Sequence, residues 1–243
     1  MTNIALDTNI WIYLTNDTFF ELWLKLKQMK EAKEIRVIVN DIILQEWERN
    51  KPTTIKNLTN NIKNEYKSAL NLSNYFVGEA KEKYLETISQ YKGEATRIEK
   101  AVARVEEIEA FMKSCTIIPV TEKQKLFVAE LAIKKIPPFH NNKNNYNDAL
   151  ILVNICEFAD SEIPFLYDLI YVSNNPKDFI DEKTNNIYEA LCEGLKEDIR
   201  IKNVTQLGEA LKLAPELFEY FDDWLEEQLE NEAERYSDMI RGK

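Results

Sequence analysis

The strongest constraint on this chain's fold is an alternation. Short apolar runs are each followed by stretches whose apolar residues recur at threes and fours. Ile4-Ala5-Leu6 runs straight into Asp7, and helical spacing then extends from Ile10 to Lys30. Ile35 to Val39 is β-branched and reads as a second strand. Asp41 is expected to cap the helix that follows, which carries Glu46 and Trp47. Leu169-Ile170-Tyr171-Val172 is the core of a later strand, and 198–203 holds a final one before a helix over 205–213. Strands that alternate with helices in this way build a mostly parallel sheet covered on both faces.

Between the two halves lies a long helical stretch. From about Thr53 to Ser114 only Gly78 and Gly93 interrupt it. The stripe Tyr84, Ile88, Tyr91, Ala95, Ile98, Val102, Val105 and Met112 predicts one amphipathic helix or an antiparallel hairpin. Ile117 to Val120 reads as a connection. Thr121 with Gln124 is a capping box that opens a helix running to about Lys135. Pro137-Pro138 ends that helix, and an Asn-rich loop, 140–147, leads to an apolar helix starting near Asp148. The expected organisation is a discontinuous domain over 1–50 and 115–212, a helical insert over 51–114, and an acidic amphipathic tail over 213–243.

Composition removes several kinds of chemistry. The chain has 243 residues and one histidine, His140. One histidine cannot build a multi-histidine zinc site or a two-histidine ribonuclease pair. Three separated cysteines offer no CxxC metal or redox motif. No apolar run approaches the ~20 residues of a membrane span. The first residues enter a strand with no basic stretch before an apolar one, so the expected compartment is the cytoplasm. The formal net charge of −11 argues against non-specific coating of nucleic acid. Hydrolytic chemistry in such a chain must run on carboxylates with a hard metal ion.

In a parallel sheet, ligands bind beyond the C-terminal ends of the strands. Asp7 ends the first strand, and Glu46 lies on the helix after the second. Asp148 opens a helix, while Ser173-Asn174-Asn175 closes a strand just before Asp178. Four acids from four separate segments are thus expected at one sheet edge. Three or four carboxylates suit one or two Mg²⁺ or Mn²⁺ ions, which in phosphodiester hydrolysis neutralise charge and activate water. His140, Lys143 and Tyr146 precede the third acid and are candidate substrate contacts, though a plain surface loop stays open. The segment 49–68 is locally basic, with Arg49, Lys51, Lys56, Lys63 and Lys67 against Glu65. It suits a nucleic-acid backbone or is a solvated helix face.

Leu6-Asp7-Thr8-Asn9, Ile42-Ile43-Leu44-Gln45-Glu46, Tyr146-Asn147-Asp148-Ala149 and Val172-Ser173-Asn174-Asn175-Pro176-Lys177-Asp178-Phe179 together resemble PIN domains. The segments occur in the family's order and cover about 1–50 and 120–212. The resemblance implies a three-layer α/β/α fold and a metal-dependent endonuclease, usually acting on RNA. It implies Asp7, Glu46 and Asp148 as the main metal-holding acids and Asp178 as a fourth. It further implies Ser173 as the hydroxyl supporting Asp7, with Asn9 and Asn175 as flanking polar residues. The long insert and the acidic tail depart from compact toxin nucleases. Both are candidate surfaces for a protein partner or a second copy. A silent PIN-like scaffold and a structure-specific DNA nuclease stay open beside the ribonuclease, and a bacterial toxin or defence role is analogy alone.

Overall fold

The computed structural model describes residues 2–139, 145–161, 169–174, 180–181, 186–191 and 201–214. The expected tail lies outside them from residue 215 onward. The strands in chain order are β1 (Thr2–Leu6), β2 (Ile35–Asn40), β3 (Thr116–Ile118), β4 (Leu169–Val172), β5 (Ile180–Asp181), β6 (Asn186–Ile187) and β7 (Ile201–Val204). Five of them form one sheet in the order β3-β2-β1-β4-β7, with every pair parallel. β5 and β6 form a separate antiparallel pair. β1 and β4 are buried at every position, the pattern of central strands covered on both faces. Polar residues inside β1 are satisfied. Thr2 Oγ1 donates to the Ala214 carbonyl at 3.0 Å, and Arg36 Nε donates to Asn3 Oδ1 at 2.7 Å. The fold is the expected three-layer α/β/α sandwich, and its sheet is all-parallel.

The helices are α1 (Thr8–Leu14), α2 (Phe20–Glu31), α3 (Asp41–Leu72), α4 (Gly78–Ser89), α5 (Glu94–Lys113), α6 (Glu122–Ile133), α7 (Tyr146–Ser161) and α8 over 207–214. Several differ from expectation for local reasons. The single run expected over 10–30 is broken between α1 and α2. Thr15 Oγ1 donates back to the Ile12 carbonyl at 2.7 Å, and Asn16 Oδ1 caps a 3₁₀ turn over Asp17–Phe19. Short polar side chains bonding their own backbone compete with helix in this manner. α3 is capped by Asn40, whose Oδ1 accepts from the Ile43 amide at 2.9 Å. Asp41 instead accepts from the Val120 amide at 3.1 Å, tying the start of α3 to the chain leaving β3. β3 itself replaces the expected connection; Ile38, Val39 and Asn40 pair with Thr116, Ile117 and Ile118.

α3 is one continuous helix across residue 50. It packs chiefly on α5. The buried positions of α5 are Arg97, Ala101, Val105, Ile108, Glu109 and Met112. The expected stripe therefore shifts frame after Tyr91, and Ile98 faces out at 43% exposure. The break between α4 and α5 around Gly93 resets the helical phase. Gly78, at φ +56°, starts α4 in the left-handed region that favours glycine. α6 carries the expected capping box, Thr121 with Gln124. α7 begins at Tyr146, two residues ahead of Asp148. Among the described residues no helix is long and apolar enough to cross a membrane.

Candidate active site

β1 leads to β2 on one side of the sheet, while its other neighbour, β4, leads to β7 on the far side. The connections leaving β1 and β4 therefore diverge, and a crevice opens at their C-terminal ends. Asp7 and Ser173 follow β1 and β4 at this crevice. The Asp7 amide donates to the Val172 carbonyl at 2.9 Å, extending the β1–β4 ladder by one rung. The Ser173 amide does the same with the Val204 carbonyl at 3.1 Å. Both side chains are thus fixed by sheet backbone rather than by loops.

Asp7 occupies the N-cap position of α1, yet its side chain makes no capping bond. A carboxylate there is a preferred cap, so its orientation is informative. Asp7 Oδ2 instead accepts from Ser173 Oγ at 3.0 Å, across the crevice. The residue is only 7% exposed. Burial pushes its carboxyl above the ordinary value, and the nearby Glu46 charge pushes the same way. The Ser173 hydroxyl, the Thr8 amide and the Asn9 side chain pull against that shift without overcoming it.

Glu46 lies in the second turn of α3 and is held at both oxygens. Thr8 Oγ1 donates to Oε2 at 2.7 Å, and Asn147 Nδ2 donates to Oε1 at 2.7 Å. These donors are neutral, and they come from α1 and α7, so three elements meet at one carboxylate. Arg49, one turn on, sits 3.8 Å from Oε1 with a largely exposed side chain. Asp148 follows Asn147 in the first turn of α7 and is half-buried. The positive end of the α7 dipole favours an anion there.

Tyr171 pairs with Ala5 of β1, two residues before Ser173 and Asp7 respectively. Its ring is fully buried in β4. Its phenol is pushed well above the ordinary value, first by burial and then by the charges of Asp7, Asp148 and Glu46. Thr8 and Asn147 join the elements that carry Asp7, Glu46 and Asp148 through one carboxylate. Acids brought to one edge repel one another unless a cation is present. The donors are all oxygens, which suits Mg²⁺ or Mn²⁺ completed by water. Among the described residues no three His, Cys, Asp or Glu side chains are gathered tightly enough to grip an ion between them. Lys143, Asn175 and Asp178 lie outside the described residues.

A PIN domain family model matches residues 4–179. The chain belongs to the PIN domain family. No curated protein and no solved structure matches it significantly. PIN domains are nuclease-type folds, and this one brings Asp7, Glu46, Asp148 and Ser173 to a single edge of its sheet. The span of the match also takes in α3, α4 and α5. Sequence patterning missed three side chains of this PIN domain's crevice: Thr8, Asn147 and Tyr171. The first two lie inside the recognised motifs, beside Asp7 and Asp148. A donor immediately next to each acid was the available signal.

Proposed function

We propose that this PIN domain is a divalent-metal-dependent endonuclease that hydrolyses phosphodiester bonds, in RNA by preference. The observation that carries this is the sheet edge where β1 and β4 diverge: Asp7 is buried there against Ser173, and Glu46 is bonded to Thr8 of α1 and to Asn147, the neighbour of Asp148 in α7. Glu46 is clamped by a hydroxyl and an amide, with Arg49 farther off at 3.8 Å.

Asp7, Glu46 and Asp148, with Asp178, would hold Mg²⁺ or Mn²⁺, which supplies charge neutralisation at the scissile phosphate and lowers the pKa of water. Ser173 aims the Asp7 carboxylate, and Thr8 and Asn147 fix both Glu46 oxygens. Orienting partners of this kind typically govern metal affinity or activity by 10–100-fold. Arg49 stands on the open side, placed to meet a phosphate once Glu46 is engaged. Lys143, Asn9 and Asn175 are assigned to substrate contact. We further assign 1–50 and 115–212 to the nuclease domain, 51–114 to an insertion in it and 213–243 to a tail. We assign the protein to the cytoplasm, where its substrate is found.

The test is Asp7→Asn assayed with Mn²⁺ on single-stranded RNA, RNA hairpins and branched DNA in parallel. Cleavage is expected to fall by at least about 100-fold, since removing a ligand exceeds the loss of an orienting partner. Wild-type rates in the variant would sink the proposal, and the substrate panel ranks RNA against DNA. The absence of a tight acid trio among the described residues favours a second reading, a silent PIN-like scaffold. Calorimetric titration with Mn²⁺ separates the two, because a scaffold shows no site that Asp7→Asn removes.

A further inference from the structure

α3 leaves the crevice at Glu46 and continues to Leu72. At 100° per residue, Arg49, Lys56, Lys63 and Lys67 fall within about 40° of one another around the helix. Asn60 and Asn64 lie alongside them, and Glu46 begins the same stripe. All four cations and both asparagines are exposed. The other acids of α3, Asp41, Glu48 and Glu65, fall outside this arc. The opposite face, with Trp47, Thr54 and Leu58, is buried. Lys51, the remaining cation here, points away from the stripe and is consumed by Glu109. Lys56, Lys63 and Lys67 form no ion pair among the described residues.

Burial needs apolar residues on one side of a helix but does not dictate what the other side carries. Exposed faces ordinarily mix both signs. In a chain of net charge −11, a stripe of four cations and interleaved amides that carries no acid beyond Glu46 is a local reversal of field. It is continuous with the carboxylate crevice, and Arg49 joins the two by its contact with Glu46.

We propose that this face of α3 is a track for single-stranded nucleic acid, holding the backbone of the strand whose scissile phosphate lies at Glu46. The proposal rests on the nuclease reading for what happens at the crevice end. From Glu46 to Lys67 the helix rises about 32 Å, the length of roughly nine stacked nucleotides at ~3.4 Å per phosphate. The amides add hydrogen bonds to phosphate and sugar, and none of these contacts reads sequence. A duplex is the rival occupant, since a major groove also admits an α-helix; tighter binding of a duplex of about 20 base pairs than of the single strands would overturn the proposal. The consequence is a length requirement: short strands reach the crevice alone, while longer ones also engage the track.

The experiment measures binding of the full chain in EDTA, where no strand is cut. Labelled oligouridine of about 20 and about 5 nucleotides, and oligodeoxythymidine of the longer length, are titrated by fluorescence anisotropy between about 50 and 200 mM KCl. Lys56→Gln/Lys63→Gln/Lys67→Gln is expected to weaken binding of both long strands about tenfold or more. It should flatten the log–log salt slope by about 2, at ~0.7 per lost contact, and leave the short strand within about twofold. The Lys→Arg triple variant keeps wild-type affinity. The proposal is overturned if the Gln variant binds long strands with wild-type affinity and slope. It is equally overturned if the wild type binds neither long strand, which would assign the stripe to another polyanion such as an acidic protein. Because nothing is cleaved, a silent crevice leaves this result intact. A lost track, in turn, leaves the Asp7→Asn cleavage test readable on short RNA.

Discussion

Two buried carboxylates show how differently this fold treats charge. Asp7 is 7% exposed and Glu109 is 8% exposed, yet their ionisation moves in opposite directions. Glu109, on α5, receives bonds from Lys113 and from Lys51 on α3. These two ammonium groups, Lys113 first, hold its carboxyl down at about 2. Its partners are charged, and the charge is settled inside the protein. Asp7 meets a serine hydroxyl, a backbone amide and an asparagine, with Glu46 as its charged neighbour, and burial keeps its carboxyl raised. The α3–α5 junction is electrostatically complete. At the sheet edge the groups hydrogen-bonded to Asp7 and Glu46 are neutral, and Arg49 stands off at 3.8 Å from Glu46. A fold able to pair Glu109 with two lysines holds the Asp7 carboxylate on a neutral hydroxyl and that of Glu46 between a hydroxyl and an amide.

Metal sharpens that contrast most. Mn²⁺ at about 100 times its dissociation constant should stabilise the wild type by roughly 2.7 kcal/mol. For a chain of this size each kcal/mol moves the thermal midpoint by about 2–4 °C. Glu109→Gln should show the same metal-dependent gain from a lower baseline, while Asp7→Asn should show almost none. Differential scanning fluorimetry with and without Mn²⁺ reads all three proteins. An equal metal response in Asp7→Asn would break the contrast. Without metal, Glu109→Gln is expected to cost about 1.5–3 kcal/mol, the range for hydrogen bonds to charged groups. Asp7→Asn should leave the midpoint unchanged or raise it, because it removes a buried charge and keeps an acceptor for Ser173. If both variants fell equally, Asp7 would be a structural residue like Glu109.

The parts of this arrangement that were legible in the sequence are those encoded locally. β1 running into Asp7 is a short apolar segment with an acid at its end. The Thr121–Gln124 capping box spans three residues and was fully readable. Asp7, Glu46 and Asp148 could be placed together because a parallel sheet gathers strand ends. What escaped depends on distance or on competition. β3 has three residues and becomes a strand only because β2 offers it an edge. Asn40 and Asp41 are both good caps, and the Val120 amide decides between them by engaging Asp41. The apolar stripe lost its frame at the α4–α5 break, which periodicity cannot see across. Lys51 and Glu109 are separated by 58 positions, and no pattern in the chain announces that they meet. The clamp of Thr8 and Asn147 on Glu46 was missed for the same reason, although both residues lay inside recognised motifs.

The smallest expected effect is also the most direct reading of the two carboxylates, because it follows their protons. A carboxyl held below its ordinary value contributes stability above that value and loses it as pH falls through the lowered one. For Glu109 the contribution is intact above 4.5 and disappears on the way down to about 2. A carboxyl raised by burial behaves with the opposite sign. The ionised form opposes folding at neutral pH, and the cost is relieved as pH falls through the raised value toward 3.8. In metal-free buffer the midpoint difference between wild type and Asp7→Asn should therefore narrow as pH drops from 7 toward 4. Over the same range the difference between wild type and Glu109→Gln should stay flat, then shrink below about 4.5. Melting curves for the three proteins across that range check both slopes. Parallel curves for wild type and Asp7→Asn would mean that Asp7 does not carry the unrelieved charge, and the case for a cation at the sheet edge would lose its electrostatic support.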